Sequence, residues 1–486
     1  MADVVLAVDQ GSSSTKVLAL GPDGAVLARA SVAVGEQHPR PGWVEQDPHE
    51  LRGSVHRAVS QCLASLDAPR VLAAGLSNQR ETIVLWERAS GRAVGPALSW
   101  QDARAAAVTH RLAEQGLAER VDRLSGLPLD PMFSAAKIAW LLDEHDPDRS
   151  RSRSGDLCVG TVDSWLLSTP SEHVVEIGNA SRTQLLDVEA GGWSDELLEA
   201  FGIPRQVLPQ VRPSGGPFPA GYDVDGHEVR FTAALGDSHA ALFGHGVRAP
   251  GTVKATYGTG SSLMALLDGT APTRAGLCLT LAWQLPGAAP QLALEGNIRA
   301  SGATVAWTAR LFGIGAQDVA DLADKASSDG VHLVPGFTGL GAPWWDTDVT
   351  GLVSGLTLGS SREQVCRAAV EAIAFQVTDL VDAARAAGAG PAVLRADGGA
   401  SVNDTLMQLQ ADLADVRVER STAADVSAIG AGHLAGLVAG AWDDAALLAA
   451  RDAGTSFTPA LAPADREARL RGWHDAVARA RHRPAS

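Results

Sequence analysis

The residues with the greatest chemical capacity fall in five short stretches. The first, Asp9-Gln-Gly11-Ser12-Ser13-Ser14-Thr15-Lys16, lies between two apolar runs. A Gly/Ser turn presents backbone N–H groups and hydroxyls, Lys16 adds positive charge, and Asp9 at a strand end could hold Mg²⁺ through water. Together they could cradle the terminal phosphates of a nucleotide. A solvated hairpin turn would read the same way. Asn78-Gln-Arg80-Glu81-Thr82 sets a planar fork of donors beside two acceptors, which suits vicinal hydroxyls and equally a structural ion pair. In Gly236-Asp237-Ser238-His239 the acid follows an apolar run and could be a general base or a helix cap. Gly258-Thr259-Gly260 follows the strand pattern Val253-Lys-Ala-Thr-Tyr257, and Asp397-Gly398-Gly399 precedes Asn403 and a helical pattern. Paired glycines there permit close approach of a planar base or a phosphate, and equally make a plain strand-to-helix turn.

These stretches need rigid elements to hold them. Val4–Val8 reads as a buried strand, 16–20 as a second after the turn, and 25–28 as a third beyond Gly21-Pro-Asp-Gly24. Asp47-Pro48-His-Glu50 then offers an N-cap, a proline at the first helical position and a capping-box acid before a helix. Segments 71–76 and 82–86 read as strands, 103–145 is helical in pattern, and Asp146–Gly155 reads as an exposed loop. Residues 253–266 repeat the strand, Gly/Ser turn, strand pattern of 4–20 about 250 residues later. The repeat predicts two similarly built halves, 1–246 and 247–486, with ligands at the cleft between them.

Composition narrows the chemistry. The 486 residues are 45% hydrophobic and 20% charged, a globular composition. A net charge of −16 repels polyphosphate backbones, so nucleic acid is not expected as a partner. Only four of the 40 basic residues are lysine: Lys16, Lys137, Lys254 and Lys325. Cys62, Cys158, Cys278 and Cys366 are scattered without metal-site spacing and read as reduced core thiols. The opening residues lack a basic, long-apolar leader pattern, and no window approaches a membrane span; the expectation is cytoplasmic and without membrane contact. No Walker A lysine loop, G-x-S-x-G elbow, H-E-x-x-H or Rossmann fingerprint is present.

Taken together the motifs resemble the FGGY carbohydrate kinases, most closely their glycerol kinase branch. The resemblance runs through Asp9-Gln-Gly-Ser-Ser-Ser, Gly42-Trp-Val-Glu-Gln-Asp-Pro48, Asn78–Thr82, Trp100-Gln-Asp102, Gly160–Trp165, Asn179-Ala-Ser-Arg-Thr183, Tyr257–Gly260, Gly339–Trp345 and Asp397–Gly399. Both family signatures are matched, by Met132–Trp140 with Asp143-Glu144 and by 351–371. The resemblance implies an α/β, actin-like ATPase fold of two ribonuclease-H-like domains, with ATP and a small polyol or sugar in the cleft. It implies that Asp237 takes the proton from the attacking hydroxyl, that Arg80 and Glu81 grip substrate hydroxyls, and that Trp100 forms a pocket wall. By the same resemblance Ser12, Ser13, Ser14, Lys16, Thr259, Gly302, Gly399 and Asn403 contact nucleotide and Asp9 sits near Mg²⁺. A homodimer or homotetramer is a further expectation. An inactive, nucleotide-binding regulatory relative is the alternative; retention of Asp237, Arg80 and Glu81 speaks against it.

Three positions depart from the glycerol kinase pattern. Met132 replaces a tyrosine, Ser262 a phenylalanine and Ser238 a glutamine. The expectation from these is a wider pocket for a four- or five-carbon polyol or ketose, with glycerol the nearest alternative.

Overall fold

The computed structural model describes residues 3–269, 273–423, 425–451 and 454–482. The chain forms two compact units. One comprises Met1–Gly246, Leu279–Leu292 and Asp425–Arg451, the other Val247–Cys278, Ala293–Ala424 and Asp452–Ser486. Two segments from the C-terminal half of the sequence are thus built into the first unit.

The first unit is organised on a six-stranded sheet ordered Gly221–Val224, His227–Gly236, Arg70–Asn78, Asp3–Gln10, Ser14–Leu20, Val26–Ala33. Asp3–Gln10 runs parallel to Arg70–Asn78, which runs parallel to His227–Gly236, and the remaining pairs are antiparallel. Residues 4–8 are continuously apolar because both faces of this central strand are covered. Helix Pro48–Leu63 buries Leu51, Val55, Val59 and Cys62 in the same core as Val4, Leu6 and Val8. Helix Val426–Val438 covers the other face. A Cβ on Gly75 would lie 2.0 Å from the Ala431 carbonyl oxygen, so only glycine lets this helix backbone rest on the strand.

The second unit repeats the plan. Gln291–Ile298, Ser261–Leu266, Thr252–Tyr257, Val393–Asp397, Arg417–Arg420 and Thr455–Phe457 follow one another across its sheet. Thr252–Tyr257 and Ser261–Leu266 form the antiparallel hairpin, and the next two strands run parallel to Thr252–Tyr257. The 25-residue helix Arg362–Ala386 is buried along most of its length.

Local readings differ in three places. Region 103–145 is three helices, Ala106–Glu114, Ala118–Ser125 and Ser134–His145, the second ending at the left-handed Gly126 (φ 76°). Residues 146–155 are not simply an exposed loop: Asp146 is buried, its Oδ2 accepts from the Ser152 amide at 2.8 Å, and Ser150–Ser154 turns into a helix that this acid anchors. At the start of Pro48–Leu63 the Asp47 carboxylate accepts from His49 N at 2.8 Å as expected of a cap, whereas Glu50 pairs with Arg57. The four cysteines are free and buried. Among the described residues no helix is long and apolar enough to cross a membrane.

Candidate active site

The register of the parallel strands sets the first cluster of residues. Gln10, Asn78 and Gly236 lie in one row across the sheet, at the carboxyl ends of their strands. Side chains that leave the sheet just beyond that row converge, the usual position of ligand sites in such sheets.

Asp237 is the first residue of helix Asp237–Gly244, with Gly236 in the capping position. Its side chain is 42% exposed and Oδ1 accepts from Arg80 Nε at 3.1 Å, while the Arg80 side chain is only 7% exposed. A buried guanidinium therefore fixes an accessible carboxylate. Arg80 Nη2 also donates to Ser238 Oγ at 3.2 Å. A Cβ on Gly236 would meet Arg80 Cδ at 2.5 Å, so the glycine lets the arginine stem lie against the strand end. Arg80 and Glu81 do not pair with each other. Glu81 instead accepts from Arg182 Nε at 2.7 Å, and the Arg182 guanidinium sits 5.1 Å from the Phe133 ring centroid. Glu81 has φ 62°, a left-handed backbone that costs energy in a non-glycine residue and is found most often where a site demands it.

Trp100 donates from Nε1 to Ser12 Oγ at 3.1 Å, joining the expected pocket wall to the first glycine-serine turn. That turn closes through Gly11 N to Ser14 O at 2.9 Å, and Val34 N donates to Ser13 O. Met132 lies before helix Ser134–His145, where the buried Lys137 ammonium donates to the Met132 carbonyl. Burial pushes Lys137 down to about 8, against the pull of Glu81, Asp102 and Asp130.

Lys16 donates to Asp425 Oδ1 at 2.7 Å, and that hydrogen bond holds its ammonium above the usual lysine range. Asp9 accepts from Ser77 Oγ at 2.7 Å. Burial, with a smaller contribution from the charge of Asp237, pushes Asp9 up to about 6 despite that hydrogen bond. Among the described residues no three His, Cys, Asp or Glu side chains converge as a metal cage. A Mg²⁺ ion carried by phosphates and water needs no such cage. The desolvated carboxylate of Asp9, drawn to Lys16 but repelled by Asp237 and Asp425, suits one.

The second unit holds the other expected residues. Thr259 sits in a turn locked to the following helix: its carbonyl accepts from Ser301 N at 2.9 Å and Ala303 N at 3.0 Å, and Gly302 N donates to Gly258 O at 2.9 Å. Gly302 begins helix Gly302–Phe312, and a Cβ there would lie 2.7 Å from the Gly258 oxygen. Gly302, Gly399 and Asn403 line one cavity of about 550 Å³, with Val305, Val370 and Ile373 as apolar wall. Asn403 Oδ1 caps helix Asp404–Ala414 through Leu406 N at 2.9 Å. Ser262 lies on Ser261–Leu266, where its Oγ accepts from Lys254 Nζ at 3.4 Å.

Several supporting residues have no role assigned from the sequence: Arg182, Ser77, the amides Gln46 and Gln79, and Lys137, which stands out there only as one of four lysines. Arg182 and Gln79 stand inside quoted motifs, Asn179–Thr183 and Asn78–Thr82, so the signal was present. What it lacked was any hint of their partners.

Residues 4–244 match the N-terminal domain, and 253–439 the C-terminal domain, of the FGGY family of carbohydrate kinases. The chain is 42% identical over 485 residues to a glycerol kinase of Citrifermentans bemidjiense and 44% identical over 490 residues to one of Aromatoleum aromaticum, each match covering 98% of both chains. Among solved structures it superposes on Plasmodium falciparum glycerol kinase with ADP at a TM-score of 0.93 and 27% identity, covering 99% of both chains. It shares its fold with a gluconate kinase of Lactobacillus acidophilus, at a TM-score of 0.87 and 19% identity over 98% of this chain and 97% of that one.

Proposed function

The chain belongs to the FGGY family of carbohydrate kinases, with their actin-like fold of two α/β domains, and on that premise we propose that it transfers the γ-phosphoryl group of ATP to glycerol. The observation that carries the reading is the buried Arg80 holding the accessible Asp237 carboxylate at 3.1 Å. A nucleotide clamp has no use for an oriented, solvent-facing acid beside a buried guanidinium. A kinase does, because phosphoryl transfer depends mostly on positioning and charge neutralisation.

In this mechanism Arg80 and Glu81 hold the hydroxyls of the alcohol and Trp100 covers its carbon chain. Asp237 takes the proton of the reacting hydroxyl as its oxygen bonds to the γ-phosphorus; the bond from phosphorus to the bridging oxygen breaks and ADP departs with the electron pair. Residues 1–246 supply the alcohol grip, the first phosphate turn and the base, and 247–486 supply nucleotide contacts through Thr259, Gly302, Gly399 and Asn403. The cavity bounded by Gly302, Gly399 and Asn403, with Val305, Val370 and Ile373 as its apolar wall and Asp321, Asp324 and Asp404 as polar groups, suits the adenosine moiety. Mg²⁺, held near Asp9, would neutralise phosphate charge.

Glycerol is favoured over a larger substrate at position 238, because Ser238 Oγ is engaged by Arg80 and so lines the grip rather than vacating it. A four- or five-carbon polyol or ketose is the second reading, favoured by Met132 and Ser262, where aromatic walls are replaced. A coupled ADP-release assay across glycerol, erythritol, xylitol, ribitol and xylulose separates them. Glycerol is expected to give the highest kcat/KM. A higher value for a larger compound selects the second reading, and no ADP release with any of them overturns the kinase.

A further inference from the structure

Behind Arg80 and Glu81 lies a closed ring of hydrogen bonds through five residues. Ser12 O accepts from Gln46 Nε2 at 2.7 Å, and Gln46 Oε1 accepts from Gln79 Nε2 at 3.0 Å. Gln79 Oε1 accepts from Thr82 Oγ1 at 2.9 Å, whose oxygen in turn accepts from Trp100 N at 3.1 Å. Trp100 Nε1 then returns to Ser12 Oγ at 3.1 Å. Gln10 braces the ring: its Oε1 accepts from Gln79 Nε2 at 3.1 Å and its Nε2 donates to Gly11 O at 2.8 Å.

Gln10, Gln46, Gln79 and Thr82 are at most 1% exposed. A buried amide left without a partner is costly, so such a network holds one arrangement and resists partial rupture. Gln79 is its hub, with its carboxamide oxygen and nitrogen both engaged. With Thr82 on the other side it brackets Arg80 and the left-handed Glu81 in sequence. The ring thus makes one rigid body of the segment carrying Arg80 and Glu81, the Trp100 wall and the Ser12 turn. An isolated structural role for any single bond would not require the circuit to close.

We propose that Gln79, through Gln46 and Thr82, is a positioning residue that couples the alcohol grip to the first phosphate turn, so that bound alcohol tightens binding of ATP. The proposal rests on the reading of Trp100 as an alcohol wall and Ser12 as a phosphate contact. Alcohol that orders Trp100 and the Arg80-Glu81 segment orders Ser12 in the same step, because the ring leaves them no independent freedom. The coupling must be reciprocal, with nucleotide tightening alcohol binding by the same factor.

The test is a thermodynamic cycle on the full-length protein by isothermal titration with a non-hydrolysable ATP analogue, with and without saturating glycerol. The wild type is expected to bind the analogue at least about fivefold tighter with glycerol present, within the usual range of such couplings. Gln79→Met and Gln46→Met should bring the ratio close to one, while ATP hydrolysis without glycerol rises relative to phosphorylation. Should those variants fail to fold, Thr82→Val is nearly isosteric, removes the hydroxyl that joins Gln79 Oε1 to Trp100 N, and should lower the same ratio. A wild-type ratio of one, or an unchanged ratio in folded variants, overturns the coupling even if glycerol is phosphorylated. Absence of phosphorylation of any polyol would instead overturn the kinase reading itself.

Discussion

Arg182 Nε donates to Glu81 Oε1 at 2.7 Å, at a residue whose backbone is held left-handed at φ 62°. The pair is buried on both sides, with side-chain exposures of 0% and 6%. The arginine therefore compensates a desolvated charge and fixes the direction in which Glu81 presents its second oxygen. Arg182→Leu should destabilise the protein by about 3–5 kcal/mol, since it leaves a buried carboxylate without its counter-charge. Urea unfolding measures this, and a change below about 1 kcal/mol would show that the pair is dispensable. Arg182→Lys restores charge but not the planar fork, and should keep more stability than kcat/KM.

Asp9 gives a prediction of opposite sign. Burial raises its folded value to about 6, so at neutral pH the folded protein carries an ionised group that it would rather keep protonated. The penalty begins as pH rises above the unfolded value near 3.9 and is complete above about 6. Asp9→Asn should therefore raise stability at pH 7 by up to about 3 kcal/mol, with little effect at pH 4, while phosphoryl transfer is lost. An unchanged or lower urea midpoint at pH 7 contradicts this.

His474 lies in the second unit, its Nε2 2.9 Å from Asp379 Oδ1, and that hydrogen bond raises its value above the ordinary histidine range. Trp473 Nε1 donates to the other oxygen of the same buried acid at 2.9 Å. A base whose folded value is raised stabilises most below its unfolded value near 6.5 and loses that contribution as pH climbs through the folded value. The stability gap between wild type and His474→Ala should be larger at pH 5.5 than at pH 8.5. An equal gap at both would mean the contact is not ionic.

Gly302 admits no side chain without movement of the Gly258 carbonyl. Gly302→Ala should loosen the turn carrying Thr259 and weaken ADP binding by about tenfold, equivalent to about 1.4 kcal/mol. Calorimetric titration with ADP reads it directly. Unaltered affinity would remove this turn from the nucleotide site.

Much of the fold is readable in the sequence. Residues 4–8 are apolar on both faces because they form a central strand covered on both sides, 253–257 forms the matching strand although Lys254 and Thr256 interrupt its apolar residues, and the glycine-serine turns that follow leave few alternatives to a hairpin. The insertion of 425–451 into the first unit is not readable that way. It depends on a notch at Gly75 that meets Ala431, a complementarity between residues more than 350 positions apart. The chemistry-bearing side chains stand out by type, yet their partners do not. Arg80 and Glu81 look like a pair in sequence, but strand register sends one to Asp237 and a helix end sends the other to Arg182. The glutamine ring is hidden for the same reason, since Gln79 and Gln10 are 69 positions apart and meet only through the parallel pairing of their strands.

The role of Asp237 is tested most directly by Asp237→Asn, an isosteric change that removes the proton acceptor and keeps an oxygen for Arg80. ADP binding by calorimetry should remain within about threefold of wild type, while kcat for glycerol phosphorylation falls by about 10² to 10⁴, the contribution of a positioned general base. Turnover within tenfold of wild type, with ADP affinity preserved, would contradict the assignment.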